Sequence, residues 1–217
     1  MRYTSHEAPR QEERAINGLD KAALLAALPR LRGQNVIVLG DLLLDEYIVG
    51  RATRLSREAP VPVLEFRRRF FVPGGAANPA HNVSALRGIV HQIGVVGNDE
   101  AGHTLVESLH QAGILTDGLV VDPDRPTTTK TRIIAEGTLV FPQQLARIDR
   151  VERAPLGQDT VADLLARLRG ASVAARALLV SDYKVGVVNR ETISASLEVA
   201  RERDILLTAD SQGDLLA

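Results

Sequence analysis

Cysteine is absent from all 217 residues, which excludes disulfides and thiol chemistry and fits a reducing compartment. Lysine is almost as scarce: Lys21, Lys130 and Lys184 are the only ones, and the rest of the 26 basic residues are arginine. Acidic residues are interspersed with those arginines and the net charge is −1, so no global field points to nucleic acid or to an acidic partner. No apolar run approaches the roughly 20 residues that cross a bilayer, and no signal peptide is visible, so the expected location is the cytoplasm, away from membranes. The five histidines lack metal-ligand spacing, and no metal site is expected from them. Internal repeats, low-complexity linkers and a second domain are also missing. What remains, 45% apolar and 24% charged, suits one large α/β domain or part of one.

The chain is organised around Phe71-Val72-Pro73-Gly74-Gly75-Ala76-Ala77-Asn78-Pro79-Ala80-His81-Asn82. Two adjacent glycines let the backbone turn tightly and come close to a ligand. Ala76, Ala80, Val83 and Leu86 then recur at helical spacing, so Gly74 and Gly75 open a helix. A helix start offers unpaired N–H groups to hydroxyls or an anion, and Asn78 in the first turn can donate and accept hydrogen bonds. The plainer alternative is a Gly-Gly turn before a packed helix, with His81 a packing or surface residue.

Before that stretch, Met1 to Asn17 is polar and unpatterned, the composition of a mobile terminus. Asp20 is placed to cap a helix carrying Leu24, Leu25, Leu28 and Leu31, which Gly33 ends; residues 1–33 thus form a tail and helix ahead of the domain at 34–217. Val36-Ile37-Val38-Leu39 reads as a strand buried on both faces. Asp45 lies just beyond its carboxyl end, where ligands gather in open α/β sheets; it is a hydroxyl-binding candidate or a turn aspartate. From Glu46 to Phe71 the helical period gives way to partial alternation, and Pro60 and Pro62 suit an edge strand. Arg67-Arg68-Arg69 reads as a solvated edge rather than a nucleic-acid patch.

After the glycines come a strand at 89–96, an Asp99-capped helix and a short strand at 119–121. Thr127 to Ala135 is again β-patterned, and Lys130 and Arg132, two residues apart, share one face. They either clamp a phosphate or line a wet edge. A helix with Val161, Leu164, Leu165 and Leu168 precedes a buried strand at 177–180, from which Ser181-Asp182-Tyr183-Lys184 emerges. A helix with Ile193, Leu197 and Ala200 on its apolar stripe leads to a last strand at 205–208. Alternating strands and helices of this kind predict a right-handed, mostly parallel sheet flanked by helices.

V-I-V-L-G-D-L-L-L-D at the first strand, P-G-G-A-A-N at the turn and G-V-V-G-N-D-E-A-G after the next strand resemble the ribokinase-like, PfkB-type carbohydrate kinases. R-L-S-R-E-A-P-V-P-V, T-T-T-K-T-R, Q-Q-L-A-R-I-D and V-S-D-Y are similar to the subgroup that phosphorylates D-glycero-D-manno-heptose 7-phosphate. The resemblance implies a ribokinase-like α/β fold with a small β lid near 46–71 and 127–141, and a homodimer contact through that lid. It implies ATP and magnesium in the complete enzyme and a sugar-phosphate acceptor. Asp45 matches the family's sugar-hydroxyl aspartate, and Gly74, Gly75 and Asn78 its sugar-binding turn. Lys130 and Arg132 lie on the lid-type strand, where the sugar's phosphate is expected.

Two departures stand beside the resemblance. The subgroup reads D-Y-x-K-G where this chain has Asp182-Tyr183-Lys184-Val185-Gly186, so no role carries over to Lys184. G-A-G-D and N-x-x-E, which the family uses for the anion hole, the base and magnesium, occur nowhere in the sequence. The expectation is an amino-terminal part of a sugar kinase domain that holds the acceptor site, binds no nucleotide fully and has negligible activity alone. A non-catalytic sugar-phosphate-binding paralogue is the alternative. A dinucleotide-binding oxidoreductase is disfavoured, because Gly40 is followed by aspartate rather than by a G-x-G-x-x-G.

Overall fold

Val36 to Leu39 alternate their side chains across a sheet with helices on both sides, and that alternation builds two cores. The computed structural model describes residues 20–137 and 142–213. Its elements begin with α1 (Lys21–Ala27), a 3₁₀ turn (Leu28–Leu31), β1 (Asn35–Gly40), β2 (Leu42–Leu55) and β3 (Pro62–Gly75). They continue with α2 (Ala77–Ala85), β4 (Ile89–Gly97), α3 (Glu100–Gln111), β5 (Leu119–Asp122), β6 (Thr129–Glu136) and β7 (Gln143–Arg150). The last four are α4 (Gln158–Ala171), β8 (Ala177–Asp182), α5 (Arg190–Arg203) and β9 (Leu206–Ser211). The expected N-terminal tail, and 138–141 of the expected lid, lie outside the described residues.

The main sheet is wholly parallel, in the order β5-β4-β1-β8-β9. Ile37 and Leu39 face α4 and α5, within a cluster containing Leu164, Leu168, Leu178 and Val199. Val38 faces α2 and α3, with Ala77, Ala80, Leu105 and Leu109. Chain order runs from β1 toward β4 and β5 on one side, then to β8 and β9 on the other. The crevice between the carboxyl ends of β1 and β8 is therefore the topological switch point, where ligands bind in such sheets.

The second sheet has the order β3-β2-β6-β7. β2 and β3 form a long antiparallel hairpin, β6 pairs with β2 in parallel, and β7 returns antiparallel to β6. Pro62 opens the edge strand β3, where its missing N–H leaves no ladder position unfilled. Glycines Gly74 and Gly75 close that same strand, so the hairpin leads straight into α2.

Two helices depart from their expected patterns. Asp20 caps α1 through its side chain, yet Leu24, Leu25, Leu28 and Leu31 all remain more than 40% exposed. Pro29 lacks an N–H and tightens the end of that helix into a 3₁₀ turn. On α5 the buried stripe is Thr192, Ala195, Ser196 and Val199, whereas Ile193 and Leu197 face outward. Thr192 Oγ1 donates to the Val187 carbonyl at 2.9 Å and Ser196 Oγ to the Thr192 carbonyl at 2.7 Å, so neither hydroxyl is buried unpaired.

Candidate functional site

Asp41 follows β1 at the switch point and is 1% exposed. Its carboxylate accepts N–H groups from Tyr183 at 2.8 Å, Val185 at 3.1 Å and Val187 at 2.9 Å. The Asp41 carbonyl accepts the Ala76 N–H at 2.8 Å, and its own N–H donates to the Ser181 carbonyl at 3.1 Å. Burial pushes the Asp41 carboxyl up, further than the three N–H groups pull it down, and the charge of Asp182 adds to the rise. With Leu42, Gly97, Arg125, Thr128, Glu152, Val185 and Val187, Asp41 lines a small cleft at this edge.

Asp45 lies four residues further on, in β2. Strand register sets it opposite Lys130 on β6 and Val72 on β3, and sets Tyr47 opposite Arg132 and Phe70. Because alternate residues of a strand share a face, Asp45, Tyr47, Lys130 and Arg132 project together. Arg132 Nη1 donates to Asp45 Oδ1 at 2.7 Å, and its guanidinium lies 5.2 Å from the Tyr47 ring centre. That hydrogen bond raises the Arg132 guanidinium above its ordinary value, so the cation stays charged at every accessible pH. Both partners are about one-fifth exposed, and β6 is an interior strand; Lys130 and Arg132 do not line a wet edge. Lys130 Nζ sits 5.9 Å from the Tyr183 ring centre, bringing the second sheet over the loop that leaves β8.

The glycine turn meets this group from the side. A methyl at Gly74 would lie 2.7 Å from Asp45 Oδ2 and 2.7 Å from Leu43 Cδ1, so only glycine leaves the carboxylate its present position. Gly75 has φ +61, and a methyl there would lie 2.2 Å from the Asp41 carbonyl oxygen. Asn78 is exposed in the first turn of α2; among the described residues its side chain makes no hydrogen bond to Asp45, Lys130 or Arg132. Asp45, Gly74, Lys130 and Arg132 are thus brought together directly, Gly75 through Asp41, and Asn78 only through its place in the first turn of α2.

Tyr183, Lys184 and Asp41 were not singled out by sequence as site residues. Lys184 adopts φ +60, uncommon for a side chain with a Cβ, and its Nζ pairs with Asp182 Oδ2 at 2.8 Å. Ser211 Oγ donates to the same carboxylate at 2.7 Å. Burial pushes the Asp182 carboxyl up, but these partners outweigh it and hold the group below the usual carboxylate range. The positive φ at Lys184 coincides with the position where the lysine departs from the D-Y-x-K-G pattern.

A parallel sheet with its cleft at the β1/β8 switch point thus lies beside a Gly-Gly turn and an aspartate, with a second sheet carrying Lys130 and Arg132. The sequence model described as pfkB family carbohydrate kinase matches residues 34–147, and the chain belongs to that family. It is 40% identical over 183 residues to the bifunctional protein HldE of Geobacter metallireducens, covering 84% of this chain and 36% of that protein. With HldE of Pelobacter propionicus it shares 38% identity over 199 residues, covering 90% of this chain and 39% of the relative. The chain thus spans less than half the length of these curated relatives. Among solved structures, the carbohydrate kinase of Agrobacterium tumefaciens is 24% identical with a TM-score of 0.56, over 81% of this chain and 53% of that one. Phosphofructokinase-2 of Escherichia coli, in its tetrameric inhibited form, is 18% identical with a TM-score of 0.59, over 83% and 55%. These structures show the same fold.

Proposed function

We propose that this chain forms the acceptor-binding part of a cytoplasmic, ATP-dependent sugar kinase that phosphorylates a heptose 7-phosphate. The observation that carries it is the joint placement of Asp45, Gly74, Lys130 and Arg132 on one face of the second sheet and the glycine turn beside it. Asp45 accepts hydrogen bonds from sugar hydroxyls, with Gly74 and Gly75 allowing close approach and the first-turn amides of Ala77 and Asn78 holding neighbouring oxygens. Lys130 and Arg132 take the phosphate already on the sugar, Arg132 presenting a planar fork and Lys130 a point charge. In this reading the second sheet acts as a lid and excludes water from the cleft. Phe66, Phe70 and Val72 on the edge strand β3, each at least 40% exposed, supply a homodimer contact in this reading.

ATP and magnesium belong to the complete reaction by family. Among the described residues, no cluster of three or more His, Asp and Glu side chains is placed to hold a metal ion. The chain also has no G-A-G-D to supply the anion hole and base. Its own contribution is to bind and orient the acceptor. Family membership favours this part of a transferase over a module that only binds.

Thermal unfolding with a panel of sugar phosphates tests the proposal. Heptose 7-phosphate at 100 times its Kd should add about 2.7 kcal/mol of stability. The unphosphorylated heptose should add less at equal concentration, and equal stabilisation by both would remove the phosphate clamp.

A further inference from the structure

We infer that Asp41 is the positioning residue of the cleft, fixing the 183–187 loop and the glycine turn relative to each other. Three backbone N–H groups from alternate residues of one loop converge on its two carboxylate oxygens. The loop carries Tyr183, which faces Lys130, and Lys184, which pairs with Asp182. Through its main chain the same residue accepts the N–H of Ala76, directly after Gly75. No other described residue contacts the end of β8, the loop beyond it and the start of α2 in this way. Asp41 therefore acts through others: it touches the frame of the site, while Asp45 and the cations face the ligand.

A carboxylate suits this task because it is acceptor-only, with about four lone-pair sites for three donors. Asparagine has the same shape but turns one end into an NH₂ donor, which must face at least one of the loop's N–H groups. The loop should then detach locally while the buried strands stay paired. The inference rests on the acceptor-site reading only for its effect on binding; the latch itself is a property of the unliganded fold.

The experiment compares wild type and Asp41→Asn by residue-resolved amide hydrogen exchange and by titration with heptose 7-phosphate. Exchange at Tyr183, Val185 and Val187 should accelerate at least tenfold in the variant, while amides of β1 and β4 keep their protection. Affinity should fall roughly tenfold, the effect of about one lost charge-assisted hydrogen bond. Asp41→Glu, which keeps the carboxylate, should retain more loop protection than Asp41→Asn. Unchanged exchange at the three amides, or acceleration spread evenly over the core, would overturn the latch. Local acceleration with unchanged affinity would overturn its role in the site. If wild type does not bind the sugar phosphate, the acceptor-site reading fails by itself, and the exchange pattern alone decides for or against the latch.

Discussion

Asp41 and Asp182 stand at the ends of paired strands, yet their carboxyls are pushed in opposite directions from a common 3.8. Asp41 is surrounded by neutral N–H donors in a buried place; Asp182 has the Lys184 ammonium and a hydroxyl. The two should therefore leave opposite marks on stability against pH. Asp182, depressed when folded, contributes stability that is full above its unfolded value and lost as pH falls through the folded one. Asp41, raised when folded, contributes fully below 3.8 and loses that contribution as pH rises through its folded value. Urea unfolding of wild type and Asp182→Asn across pH about 3 to 7 checks the first. The stability gap should be widest near neutrality and close toward the acid end; a gap that grows on acidification would show the Lys184 pair to be ineffective.

At the scale of elements, α5 shows how a hydrophobic pattern can mislead. Ile193 and Leu197 stand at helical spacing and invite burial, but the helix turns a stripe of small residues inward against α4 and β8. Thr192 and Ser196 can be buried because their hydroxyls return to nearby carbonyls, a possibility that hydropathy does not encode. Ser196→Leu should then cost about 1–3 kcal/mol by overpacking, whereas Leu197→Ala should stay within about 1 kcal/mol. Chemical denaturation of the two variants checks this, and the reverse ranking would mean that the helix is rotated. By contrast, the strands were readable: Val36 to Leu39 is apolar at every position, which only burial on both faces tolerates. The β pattern of 127–135 was also visible, and Lys130 and Arg132 on one face excluded a uniformly buried strand.

Across the whole molecule, legibility followed sequence distance. Gly74, Gly75 and Asn78 lie within one short stretch, and Asp45 lies just after a strand, so local chemistry pointed to them. Nothing local in the sequence marked Asp41, because the N–H groups that give it meaning lie 142 to 146 residues away. Tyr183 was hidden likewise, its neighbour Lys130 being supplied by the second sheet. The edge strand β9 leaves Leu206 64% exposed, a flank that no described element covers. The central claim is that one cleft reads both the hydroxyls and the phosphate of its acceptor. Calorimetric titration of wild type, Asp45→Asn and Lys130→Met with heptose 7-phosphate and with the unphosphorylated heptose tests it most directly. Asp45→Asn should weaken both ligands by roughly 10- to 100-fold, and Lys130→Met should weaken only the phosphorylated one, by a similar factor. Binding of both ligands unchanged by either substitution would contradict the claim.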